Sequence, residues 1–163
     1  MVEADPPTGH VHIRAVEDGD LESFFEDQLD PEATRMAAFL SRDRTAFMAH
    51  WAKIRTDQSC HSRAIVVDGQ VAGNIGSWDQ PGHREVGYWI GRAYWGRGIA
   101  TRALALYLAD ESLRPLHAYV AVHNAGSIRV LEKCGFHPAA AGDIPPSTAN
   151  GDDVEHLVFV LKS

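Results

Sequence analysis

The sequence predicts one α/β domain, α+β in character, with a mixed and mostly antiparallel central sheet flanked by helices. Three observations predict it. Segments 64–67, 71–75 and 85–90 are short β-rich runs separated by turn residues, as in an antiparallel meander. Between residues 85 and 122 a strand, a glycine turn, an apolar helical stripe and another strand follow one another, the order of a β-α-β unit with parallel strands. An alternating strand at 154–161 ends the chain, and 163 residues are about one domain's length.

Each element has a local reason. Residues 1–10 carry acid, proline and glycine and are expected to form a flexible arm. Val11 to Ala15 reads as a short strand. From Asp18 to Phe39 the chain is acidic and aromatic. Asp18 or Asp20 is available to accept the first free N–H groups of a helix carrying Leu21, Phe24 and Phe25. A second helix is expected from Thr45 to Ile54, because Phe47, Met48, Trp51 and Ile54 recur at helical spacing. Ala64–Val67 and Val71–Ile75 flank an Asp-Gly pair, which tolerates the left-handed backbone of a tight hairpin. A turn at 79–82 leads to the strand Glu85–Ile90.

From Gly98 or Ile99 to about Leu113, positions such as Ile99, Ala103, Leu104 and Tyr107 form a broad apolar stripe, so this helix should pack on the sheet. Leu116–Val122 reads as a strand and Asn124–Lys133 as a short helix. Gly135 stands where a left-handed C-cap belongs. Residues 142–152 read as a Pro/Gly/Ser-rich loop, and Val154–Leu161 as the final strand.

Composition narrows the function classes. With 15 Lys+Arg against 22 Asp+Glu the net charge is −7. Binding nucleic acid through counterion release needs clustered cations, so no nucleic-acid partner is expected. A hydrophobic content of 45% argues against disorder, and no apolar run reaches the roughly 18 residues of a membrane helix, so no membrane partner is expected either. Cys60 and Cys134 stand far apart and outside any C-x-x-C pair, which fits a reducing compartment. The start has acid and proline where a secretory signal has basic and apolar residues, so a cytoplasmic location is expected. His10-x-His12 lacks a third ligand of recognisable spacing and no metal is expected; Cys134 reads as packing at a helix end.

The segment Trp89 to Thr101 places a glycine-rich turn between a strand and a helix N-terminus. Free N–H groups and the helix dipole make such a turn a phosphate site; alternatively the glycines only satisfy backbone angles. It is not a Walker A loop, since no Gly-Lys-Ser/Thr occurs. It is a poor dinucleotide fingerprint, since Thr101 stands at the third glycine position and no acid follows about 20 residues on.

The run Trp95-Gly96-Arg97-Gly98-Ile99-Ala100 resembles the acetyl-coenzyme A pyrophosphate loop of the GNAT N-acetyltransferase superfamily, written Gln/Arg-x-x-Gly-x-Gly/Ala. Trp95 in the first position, with Glu85-Val86-Gly87-Tyr88-Trp89-Ile90 before it, is similar to the branch of ribosomal-protein N-terminal acetyltransferases. The block from Asn124 to Phe136 resembles that branch's second coenzyme motif. The resemblance is sharp over 85–136 and extends by element order over about 11–161.

The resemblance implies an acetyl-coenzyme A-dependent transfer to a primary amine, a protein N-terminus or a small molecule. It implies that Trp89 and Ile90 offer backbone groups to the pantetheine arm. Gly96, Arg97, Gly98, Ala100 and Thr101, behind Trp95, would hold the pyrophosphate, and Asn124 would contact the arm or the sulfur region. Glu85 takes the general-base position; the alternative is a surface carboxylate paired with Arg84 or His83. The superfamily's usual tyrosine acid falls on Leu131. Ser127 is the branch's candidate donor or thiol-positioning group, or else it caps a helix or bonds locally to backbone.

Residues 18–57 are where such proteins diverge to suit their acceptors. Phe25, Trp51 and Trp78 are candidates to frame the acceptor, and Glu26 with neighbouring acids either attracts a cation or forms a solvated helix face. A homodimer is compatible with this reading. The rival class is a coenzyme-binding sensor or partner-binding module without catalysis, and a nucleotide enzyme using the same turn is a weaker third.

Overall fold

The chain enters as β1 (Val11–Arg14) and passes through three helices, α1 (Asp20–Asp27), α2 (Pro31–Ala37) and α3 (Arg44–Thr56). The meander β2 (His61–Val67), β3 (Gln70–Gln80) and β4 (His83–Ile90) follows, then α4 (Ile99–Asp110), β5 (Leu116–Ala121), α5 (Ala125–Lys133), β6 (His137–Pro138) and β7 (His156–Leu161). This is a computed structural model and describes residues 9–144 and 155–163. Most of the expected N-terminal arm and 142–152 loop, and the expected strand start at Val154, therefore lie outside the described residues.

The strands form one sheet in the order β1-β2-β3-β4-β5-β7-β6, with β4 and β5 parallel and every other pair antiparallel. The predicted hairpin has a two-residue loop between Val67 and Gln70, with Asp68 at φ 49° and Gly69 at φ 81°, both left-handed. Strand alternation gives the sheet two dissimilar faces. On one, Ile65, Ile75, Val86, Leu116 and Phe159 pack against Ile99, Ala103, Leu104 and Tyr107 of α4 and Leu131 of α5. On the other, Phe24 and Phe25 of α1 and Phe47 and Trp51 of α3 close over Ala64. Ring centroids are 5.1 Å apart for Phe24–Trp51 and 5.4 Å for Phe25–Phe47, tilted and edge-on, within the preferred range for aromatic pairs.

Three expectations are corrected. Helix α1 is entered from Gly19 without a side-chain cap. Asp20 instead lies buried inside the first turn, and its carboxylate takes two hydrogen bonds from Arg14, at 2.7 and 2.9 Å, and one from the Glu17 N–H. The Arg14 hydrogen bonds hold that carboxyl below the usual carboxylate range. Residues 18–57 hold three helices rather than two. Asp30 accepts from Glu32 N and Ala33 N while Pro31 occupies the first turn, so a new helix starts where the sequence reading continued the acidic segment. Helix α4 stops at Asp110, short of Leu113, because Glu111 leaves the helix with its side chain buried.

That carboxylate anchors a buried polar network at the end of the sheet remote from the glycine turn. Glu111 Oε2 lies 2.5 Å from His61 Nδ1 and 3.1 Å from the Ser77 hydroxyl, and Oε1 accepts from Leu113 N. Ser77 also meets Tyr107 OH at 2.7 Å and takes a bond from Arg84 at 2.9 Å. Burial pushes the Glu111 carboxyl up, but these donors outweigh it and bring it down to about 2. Among the described residues no helix is long and apolar enough to cross a membrane.

Candidate active site

Strands β4 and β5 share one register pair, Glu85 with His117, whereas β3 and β4 stay paired through eight. Beyond Glu85 the two parallel strands diverge. A cavity of about 560 Å³ opens near the divergence, lined from β4 by Tyr88, Trp89 and Ile90, from the N-terminus of α4, and from the start of α5. Ala33, Met36 and Ala37 of α2 also line it.

The α4 end of this cavity is built by the glycine turn. Gly96 and Gly98 both have φ 73°, and Gly98 is the left-handed N-cap of α4 with no side chain accepting from the helix. A Cβ on Gly96 would meet nothing within 4 Å, so backbone angle rather than crowding requires that glycine. The first-turn N–H groups of α4 have no side-chain cap, at the positive end of a twelve-residue helix. Trp95 has a structural part in this turn: its indole N–H donates to the Ile90 carbonyl at 2.8 Å, tying the turn back to β4.

The α5 side carries hydroxyls and cations. Asn124 is the N-cap of α5, its Oδ1 accepting from Ser127 N at 3.2 Å, which leaves Ser127 free of the capping role. The Ser127 hydroxyl instead lies 2.6 Å from Tyr88 OH. Burial pushes the Tyr88 phenol up to about 12, against the opposing effect of the Ser127 bond, so it stays protonated over the working pH range. Leu131, where a tyrosine acid is usual in the resembling superfamily, is a core residue at 1% exposure. Arg129 and Lys133 line the cavity one helical turn apart. Tyr88, Arg129 and Lys133 carry no role in the motifs as expected from the sequence; the i, i+4 spacing of the two cations on the motif helix is the signal that points to them.

Of the coenzyme residues read from the sequence, Trp89, Ile90, Trp95, Gly96, Gly98, Ala100, Thr101 and Asn124 line the cavity, as does Ser127. Arg97 does not; its guanidinium stands 5.5 Å from the Tyr94 ring centroid. The Trp89 indole N–H is buried and has no hydrogen-bond partner among the described residues, and the ring packs edge-on against Phe39 at 5.5 Å.

Glu85 lies outside this lining, on the sheet face that α1 and α3 partly cover. Alternation along β4 puts Glu85, Gly87 and Trp89 on that face, and the register adds Trp78 opposite Glu85 and His117 beside it. Trp78 folds against Gly87, where a Cβ would come 2.9 Å from the indole. Glu85 Oε1 sits 2.8 Å from His83 Nε2, so the histidine partner foreseen in the sequence is present; Arg84 turns to the other face and pairs with Asp79. Phe25 and Trp51 do not reach this region: at 8% and 6% exposure they are core of the α1–α3 layer. Glu26 is exposed on α1. His10 and His12 have ring centroids 5.9 Å apart, and among the described residues no three His, Cys, Asp or Glu side chains come together as a metal site.

A mixed sheet parted between two parallel strands, with an uncapped helix N-terminus near the parting, is an acetyltransferase fold. Solved structures share it. Spermidine N-acetyltransferase from Vibrio cholerae, in complex with coenzyme A and spermine, superposes with TM-score 0.76 at 17% identity, over 93% of this chain and 95% of that one. RimJ from Mycobacterium smegmatis, in complex with coenzyme A disulfide, gives 0.75 at 21% identity over 96% and 84%. RimL, the ribosomal L7/L12 α-N-protein acetyltransferase in complex with coenzyme A, gives 0.72 at 16% over 96% of each.

The model of the acetyltransferase (GNAT) domain matches residues 10–137, and the chain belongs to that family. A stretch of 56 residues is 45% identical to the probable N-acetyltransferase YjcK of Bacillus subtilis, covering 32% of this chain and 31% of that protein.

Proposed function

We propose that the protein transfers an acetyl group from acetyl-coenzyme A to a primary amine, with Glu85 as general base, and that residues 1–163 act as one catalytic domain. The observation that carries this is the position of Glu85 at the one register pair shared by β4 and β5, at the point where the strands part and on the same face as Trp89 of the cavity lining. An acceptor approaching from the Glu85 side and a thioester held in the cavity would meet through the gap between the strands.

The cavity fits the coenzyme on three counts. The uncapped N–H groups of α4 suit the pyrophosphate, Arg129 and Lys133 offer compensating charge on a chain of net charge −7, and the orphaned Trp89 N–H suits a carbonyl of the pantetheine arm. The bound coenzyme supplies an acetyl group already activated as a thioester. Glu85 accepts the proton that the ammonium must lose before nitrogen can attack. The Tyr88–Ser127 pair presents hydroxyl groups to the cavity, and these stabilise the negative charge that develops on the departing sulfur.

The acceptor side is the face bearing Glu85, Trp78 and Trp89, with α1 and α2 at its edge. Phe25 and Trp51 serve it by holding α1 and α3 in place, and the exposed acids of α1, Glu26 among them, favour a cationic acceptor. Glu85→Gln should lower kcat by about 10²–10⁴-fold, the usual worth of general-base catalysis, with coenzyme A affinity unchanged within twofold. Thiol release from acetyl-coenzyme A over a panel of small primary amines and N-terminal peptides, with calorimetry for the coenzyme, measures both. Equal turnover by the two proteins removes Glu85 as base. Coenzyme binding without release on any acceptor points to the sensor reading instead.

A further inference from the structure

We propose that His83 is the positioning residue of the site, fixing one oxygen of Glu85 so that the other is presented to the acceptor amine; this rests on Glu85 being the base. His83 and Glu85 are two apart in β4 and so share a face. Their contact is 2.8 Å, Nε2 to Oε1. An ionised carboxylate only accepts, so the Nε2 proton belongs to His83 and Oε2 keeps its lone pairs for the ammonium. In the proton transfer the N–H bond of the ammonium breaks, an O–H bond forms on Oε2, and nothing leaves His83.

The surroundings hold the ring rather than letting it swing. The Pro81-Gly82 turn, with Gly82 at φ 82°, brings the Pro81 carbonyl to 3.3 Å from Nδ1. From β5, the rings of His117 and Tyr119 stand 5.6 and 5.8 Å from that of His83. His117 is held in turn by donating from Nε2 to the Asp143 carbonyl at 3.0 Å, and Lys162 pairs with the Asp143 carboxylate at 2.8 Å. The His83 side chain is 1% exposed while that of Glu85 is 18% exposed. A buried imidazole thus backs a carboxylate that still reaches solvent, as a preorganised base requires.

Two measurements test this. In ring-nitrogen NMR of the labelled protein, which needs no acceptor, His83 Nε2 should carry a slowly exchanging proton whose signal is lost in Glu85→Leu; an unprotonated Nε2 overturns the proposal. In turnover with an active amine from the panel, His83→Leu should lower kcat about 10–100-fold while acceptor KM and coenzyme affinity stay within twofold. His83→Gln, whose amide places a donor near the imidazole Nε2, should return to within about threefold of the parent. Equal losses in the Leu and Gln variants, or no loss in either, overturn it. An inactive Glu85→Gln beside a fully active His83→Leu sinks only this inference, whereas a fully active Glu85→Gln sinks the base assignment itself.

Discussion

Asp27 closes α1 with its carboxyl pressed toward β4's end, where a Cβ on Gly91 would come 2.9 Å from Oδ1. Burial, with Glu26 and Asp30 nearby, pushes this carboxyl up to about 7, and its place at a helix C-terminus disfavours negative charge further. Between about pH 4 and 7 the unfolded chain releases this proton while the folded chain keeps it, so Asp27 lowers stability as pH rises through that window. Asp27→Asn should therefore gain about 1–3 kcal/mol at pH 8 and almost nothing at pH 4, measured by urea unfolding. Glu111 has the opposite sign. Its carboxyl lies at about 2, so its stabilisation is complete above about pH 4.5 and lost as pH falls toward 2. Glu111→Gln should cost about 2–3 kcal/mol at pH 7, a gap that narrows between pH 4.5 and 3 in the same measurement. Neither behaviour was legible in the sequence, where both are acids near helix ends; burial and partners from other elements separate them.

Among the elements, those that carry the coenzyme motifs were the most legible. Helix α4 and the cap of α5 depend on neighbours in sequence: Gly98 supplies a left-handed N-cap and Asn124 an Oδ1 for Ser127 N. Helix α2 was missed although Asp30-Pro31 is a local start signal, because the acidic and aromatic residues around it were read as one continuous segment. The two-residue β6 has too few residues for a strand pattern and exists by pairing with β7. Cavity charge also follows the elements. Arg129 and Lys133 of α5 line it, whereas Arg97 at the motif's centre stacks on Tyr94. Exchanging Arg129 and Lys133 together for Ala should weaken coenzyme A binding about 10-fold or more by calorimetry, consistent with the loss of charge-assisted hydrogen bonds, while Arg97→Ala should cost less.

In the whole molecule, the site exists because two parallel strands part while their flanks stay paired. Ligand bound near that parting stabilises the folded state by mass action. Coenzyme A at about 100 times its Kd should add about 2.7 kcal/mol, a Tm rise of about 5–10 °C in a domain this size, with no rise from NAD or ATP. The sequence by itself determined the order of the strands and helices other than α2 and β6, the family, and the glycine turn with its uncapped helix, because these depend on residue periodicity and on backbone angles set within a few positions. Tertiary structure alone decided that β4 and β5 part after Glu85, that Phe25 and Trp51 are core, that Tyr88 of β4 meets Ser127 of α5, and that His83, His117 and Tyr119 assemble behind Glu85. These contacts join residues distant along the chain, and their geometry follows from how the sheet and helices pack rather than from any local pattern.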